Sequence, residues 1–171
     1  PPGGANRPAG PRPKSHHPET RLMKYSTFGA MIATSTIVMF GLMYLNTYSL
    51  DHVLFSETRA WMAIVMGATM AVIMLAFMLG MYRNRTTNIA IFAAAIIAFA
   101  GALYHVRSQD TIADVAWMKA MIPHHSIAIL TSERANISDP RVRKLADEII
   151  EAQRREIGEM KALIADLEGQ D

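Results

Sequence analysis

Three long apolar runs constrain this chain more than any other feature. They extend roughly over residues 27–48, 60–82 and 88–106, and none holds a Lys, Arg, Asp or Glu between its ends. Each approaches the ~20 residues that a helix needs to cross ~30 Å of hydrocarbon. A helix satisfies its own backbone N–H and C=O groups in lipid, which a lone strand cannot do. The sequence therefore predicts an all-α protein whose residues 25–106 form three transmembrane helices. The first run follows more than twenty mostly polar residues. It also outruns the apolar core of a signal peptide, so it is expected to stay in the mature protein.

The flanks of these runs differ in charge. Arg7, Arg12, Lys14, Arg21 and Lys24 precede the first run, and Arg83 and Arg85 lie between the second and third; Arg59 alone lies near the other turn. The positive-inside rule then places the N-terminus in the cytoplasm and residues 107–171 outside it, on a multi-pass protein of the cytoplasmic (inner) membrane with a periplasmic domain. Residues 1–24 are rich in Pro and Gly and poor in large apolar side chains, the composition of a disordered basic tail. From Arg107 onward nine Lys/Arg face twelve Asp/Glu, a formal balance of −3. That acidity, and basic residues without aromatic interleaving, argue against a nucleic-acid partner.

Residues 107–171 read as a helical hairpin. Ser108-Gln109-Asp110-Thr111 offers N-cap chemistry, and Ile112, Val115, Met118, Ile122, His125 and Ile129 recur at helical spacing. Pro123 interrupts this series, and either kinks one helix or opens a second one in its first turn. Asp139-Pro140 starts the other arm, whose apolar stripe includes Val142, Leu145, Ile149, Ile150, Ile157, Met160, Leu163, Ile164 and Leu167. Two arms of about 25 residues bury too little surface to stand alone in water. A four-helix bundle made by a homodimer is the expected completion, with docking onto a partner as the other solution.

The chemistry concentrates in Trp117-Met118-Lys119-Ala120-Met121-Ile122-Pro123-His124-His125, two thioethers and two imidazoles within nine residues of a chain without cysteine. Thioethers favour Cu(I), whereas imidazole accepts copper, zinc, nickel and iron, so the mixture points to a copper ion. Met118, Met121 and His125 share a helix face, and Met160 on the second arm can complete the set. The expected metal ligands are Met118, Met121, His124, His125 and Met160. An oxidising compartment suits thioethers better than thiols. The competing reading makes Met118, Met121 and Met160 adaptable core fillers beside a His pair at a kink. His52 and His105, expected at the outer surface, are either accessory ligands or interfacial polar residues, while His16 and His17 belong to the opposite side. The ladder Met62, Met66, Met70, Met74, Met78 and Met81 reads as membrane-helix packing. No His-Glu-x-x-His, Glu-x-x-His or nucleophile elbow is present, so an enzyme is not expected.

The stretch from Asp114 to His125, followed by Ala128-Ile129, Asp139-Pro140, Gln153, Glu156-Ile157 and Met160, resembles the domain-of-unknown-function 305 family over roughly residues 110–167. The resemblance implies a ferritin-like four-helix arrangement and, for some relatives, extracytoplasmic copper binding through Met and His. Carried onto this chain, it supports Met121, His124, His125 and Met160 as ligands, with Met118 as an addition. Ile127 and Thr131 stand where many relatives carry further Met. The expected function is copper storage, handling or resistance at the membrane; the alternative is a structural or interaction protein whose hairpin oligomerises.

Overall fold

The computed structural model describes residues 24–169, which form five α-helices and no strand. The expected tail at 1–24, with His16 and His17, lies outside the described residues apart from Lys24. Helix α1 spans Tyr25–Leu42, α2 Glu57–Phe77 and α3 Arg85–Ser108, and all three are long and apolar enough to cross a membrane. Helix α4 spans Asp114–Arg134 and α5 Pro140–Glu168.

Side-chain caps set several starts. Ser56 Oγ accepts the Arg59 N–H at 3.2 Å, Asn84 Oδ1 the Thr87 N–H at 3.0 Å, and Asp139 Oδ1 the Arg141 N–H at 2.8 Å. Each satisfies a donor that a first helical turn leaves open. Pro140 follows Asp139 at the one position where its missing N–H is harmless.

Two boundaries depart from expectation. Helix α1 ends at Leu42, six residues before the predicted Tyr48. The chain turns there because the Tyr48 N–H is given to Ser126 Oγ at 2.7 Å, a tertiary bond that competes with continued helix. The Ser108–Thr111 cap does not form either. Helix α3 runs through Ser108 and stops where Gln109 takes a left-handed conformation, with φ of 56°. Ser108 Oγ donates to Asp110 Oδ1 at 2.6 Å and Tyr104 Oη to Asp110 Oδ2 at 3.1 Å, so the candidate cap is occupied within the turn. Helix α4 starts three residues after Thr111, behind Ala113 and without a side-chain cap.

Helix α2 is the centre of the apolar part: α1 and α3 each pack along it, and they meet one another through side chains such as Tyr25 and Asn88. Small residues allow the approach: Ala63, Gly67, Ala68 and Ala71 of α2 are buried, as are Ala95 and Ala102 of α3, two heptad-spaced positions. At Gly67 the Thr36 side chain of α1 is so near that a Cβ would overlap its Oγ1. Of the ladder, Met74, Met78 and Met81 pack on the cluster of Phe28, Leu75, Tyr82 and Ala95, whereas Met62 is exposed. Lys24, Arg83 and Arg85 gather at one end of the three helices, and the 43–56 connection and the hairpin lie at the other.

The hairpin core joins Met118, Ile122 and Ile129 of α4 to Ile150, Ile157, Met160 and Ile164 of α5. Pro123 sits buried inside an unbroken α4, so of the two readings the single helix holds. Proline removes only the bond to the Lys119 carbonyl, and packing on both sides carries the helix across the gap. The other flank of the α5 stripe, Val142, Leu145, Leu163 and Leu167, stays exposed, with Leu145 at 55%.

Candidate metal centre

Helical spacing carries Met118, Ile122, Ser126 and Ile129 to the inner face of α4, and all four are buried. His125 falls beside that face and His124 points outward, because neighbouring residues on a helix differ by about 100°. The imidazoles of His124 and His125 have centroids 6.3 Å apart and planes at 58°. Of the five expected ligands, Met118 and Met160 lie together in the apolar core, at 4% and 6% exposure. Met121 packs on its edge, His125 is partly buried, and His124 is exposed and separate.

The partner of His125 comes from α5. His125 Nδ1 lies 3.1 Å from Glu156 Oε2, yet out of line for a hydrogen bond, so this buried nitrogen has no hydrogen-bond partner. An imidazole nitrogen beside a carboxylate, with Met121 one turn earlier on α4 and Met160 one turn later on α5, is a donor set that a metal ion can use once that nitrogen is unprotonated. The thioethers of Met118 and Met160 meanwhile fill core space, as unbranched side chains do. Among the described residues no group of three His, Asp or Glu gathers at metal-binding separation. A site of three or more ligands among the described residues of one chain would draw on a further donor such as a thioether, and a second copy could also add ligands.

A second polar constellation holds the hairpin in place. Ser126, fully buried next to the His pair, accepts the Tyr48 N–H and bonds His52 Nδ1 at 2.9 Å. The hydroxyl's single proton matches a neutral His52 whose Nδ1 accepts. Asp51 pairs with Lys161 of α5, and that contact, with the Ser49 hydroxyl, holds its carboxyl below the usual range. The 48–52 segment thereby docks on the turn of α4 that carries the His pair. His105 is engaged elsewhere, stacked on Trp61 at 4.5 Å with Nδ1 3.6 Å from Asp110.

Sequence reasoning named Glu156 in the motif one turn before Met160 but did not pair it with His125, and it missed Ser126 as an anchor. A signal for Ser126 existed: a lone hydroxyl in the series Met118, Ile122, Ser126, Ile129 occupies a core position and demands a partner. The identity of that partner, 74 residues away at His52, was not legible.

Burial pushes both imidazoles below their ordinary 6.5; Asp51 opposes this for His52 and Lys161 reinforces it, while Glu156 opposes it for His125 and His124 reinforces it. A depressed histidine is neutral in both states well above pH 6.5, and as the pH falls toward 6.5 the unfolded chain takes up protons first. Hairpin stability is accordingly expected to fall as pH drops below about 6.5 and to level off once the folded pKa is passed. Thermal midpoints of the full-length protein between about pH 8 and 5 check this, and a midpoint that rises on acidification contradicts it.

Fold and site together define a helical protein in which three apolar, membrane-length helices carry a docked C-terminal hairpin. Residues 102–171 match the family described as Domain of unknown function (DUF305). An uncharacterized protein of Acanthamoeba polyphaga mimivirus is 31% identical over 142 residues, covering 79% of this chain and 91% of that protein. The chain belongs to the DUF305 family. The viral alignment is longer than the matched domain, so the likeness reaches upstream into the apolar helices. No solved structure matches the chain.

Proposed function

We propose that this protein is a membrane-anchored metal-binding protein that holds copper outside the cytoplasm, for storage, handling or resistance, without catalysis. The buried, unpartnered His125 Nδ1 beside Glu156 carries the reading. Met121 and Met160 supply the soft donors within a turn of this pair, and His124 is exposed for a second ion or a second copy. The concentration of Lys24, Arg83 and Arg85 at the end opposite the hairpin supports an orientation with the hairpin outside the inner membrane. The ferritin-like arrangement would follow from dimerisation through the exposed α5 flank.

Titration of detergent-purified full-length protein with Cu(I), Cu(II) and zinc tests the proposal. His125→Ala is expected to abolish the tight copper site. Glu156→Gln is expected to weaken it about 10–100-fold, the usual effect of losing a group that orients a ligand. Met160→Leu conserves core volume, so loss of copper with unchanged stability marks a thioether ligand. A folded wild type that binds no copper, or binding untouched in the His124→Ala, His125→Ala double variant, overturns the reading. One observation favours a purely structural alternative: Met118 and Met160 already have a complete apolar role. On that alternative the hairpin serves only to oligomerise.

A further inference from the structure

The three apolar helices leave a groove between α1 and α3. Its floor is Gly67, Ala68 and Ala71 of α2, Ile32 and Ala98 stand on its two walls, and its volume is about 630 Å³. The lining is almost wholly apolar, and the size falls within the ~300–1,000 Å³ of ordinary ligand sites. Tyr25 and Phe28 line one end. Tyr25 Oη donates to Asn88 Oδ1 at 2.7 Å and lies 3.2 Å from the carbonyl of Asn84, so this end abuts the connection that carries Arg83 and Arg85. Lys24 directly precedes Tyr25, and all three cations are exposed. Asp51 and Glu57, the two acidic residues between positions 24 and 109, belong to the opposite end. Tyr82, packed on both Tyr25 and Phe28, buries a hydroxyl that has no hydrogen-bond partner.

We infer that this groove binds an anionic phospholipid, with an acyl chain along α2 and the phosphate among Lys24, Arg83 and Arg85. The inference rests on the membrane reading of the three helices, but not on the metal reading. An apolar slot ending in three exposed cations matches a molecule that is apolar along its length and anionic at its head. A second copy is the poorer occupant: a twofold axis along the membrane normal would bring two sets of these cations side by side.

Full-length protein reconstituted with spin-labelled phosphatidylglycerol or phosphatidylcholine provides the test. Phosphatidylglycerol is expected to be retained preferentially, by up to about fivefold for each cation. The Lys24→Gln, Arg83→Gln, Arg85→Gln variant should lose that preference and keep zwitterionic lipid. Gly29→Leu, at a position where a Cβ meets nothing within 4 Å, should instead fill the groove and reduce retention of both lipids. Equal retention of the two lipids by the wild type overturns the inference, as does a preference unchanged in the charge variant. Cross-links between copies through Ala33→Cys and Ala94→Cys would place a second chain in the groove and overturn it too. Recovery of the protein from the soluble fraction would defeat the membrane reading itself, whereas a membrane-embedded protein without lipid preference defeats only this inference.

Discussion

Ile122→Ala is expected to destabilise the hairpin by about 2–5 kcal/mol, the usual range for truncating a fully buried Ile. Ile122 has no exposed surface and lies between Met118 and Ile129 in the seam with α5. Its loss leaves a cavity lined by Ile157 and other side chains of an α5 that is anchored at Asp51 through Lys161, which limits collapse. Hydrogen exchange resolved along the full-length chain is the suitable measurement, because it reads the stability of each helix by itself. Protection should fall in α4 and α5 together and remain in α2. A change below about 1 kcal/mol would show that the seam is not the hairpin core. Leu145→Ala serves as the comparison: on an isolated chain its exposed side chain should matter by no more than about 0.5 kcal/mol. A penalty at Leu145 as large as that at Ile122 would reveal that a second copy covers this flank, which is the dimer expectation.

Ser126→Ala should uncouple the hairpin from the apolar helices at a cost of about 1–3 kcal/mol for each partly buried group left without its partner. The groups are the Tyr48 N–H and His52 Nδ1. The alanine itself fits, so α4 should stay helical while exchange protection at Tyr48–Val53 is lost. Ser126→Thr keeps the hydroxyl and should retain more of the docking than Ser126→Ala, within the limit set by one extra methyl in a filled site. Equal protection of the 48–53 segment in wild type and Ser126→Ala would refute the anchor. Asp51 and Lys161 give a second, salt-sensitive tie, and their exposure makes it the weaker one.

The helices were legible because lipid-length apolar runs and the α5 stripe repeat over many residues, so single exceptions do not blur them. Boundaries were less legible. Leu42 ends α1 because Tyr48 bonds a serine 78 residues away, and no local pattern encodes that. Ser108 looked like an N-cap by composition, yet its hydroxyl found Asp110 first. Such short polar side chains have several local partners of similar energy, and neighbouring structure chooses among them.

The candidate site divides in the same way. The positions of Met118, Met121, His125 and Met160 on facing helical stripes follow from spacing alone, since about 100° per residue determines each face. Their depth does not. The sequence by itself determined an all-helical chain with three membrane-length segments, an acidic hairpin after them, and a Met and His motif on its first arm. Only the tertiary structure decided that Met118 and Met160 lie in the core, that His125 meets Glu156, and that Ser126 joins His52 and Tyr48 to the hairpin. Periodicity is a property of one helix, whereas burial and polar pairing depend on how two segments distant in sequence come into contact.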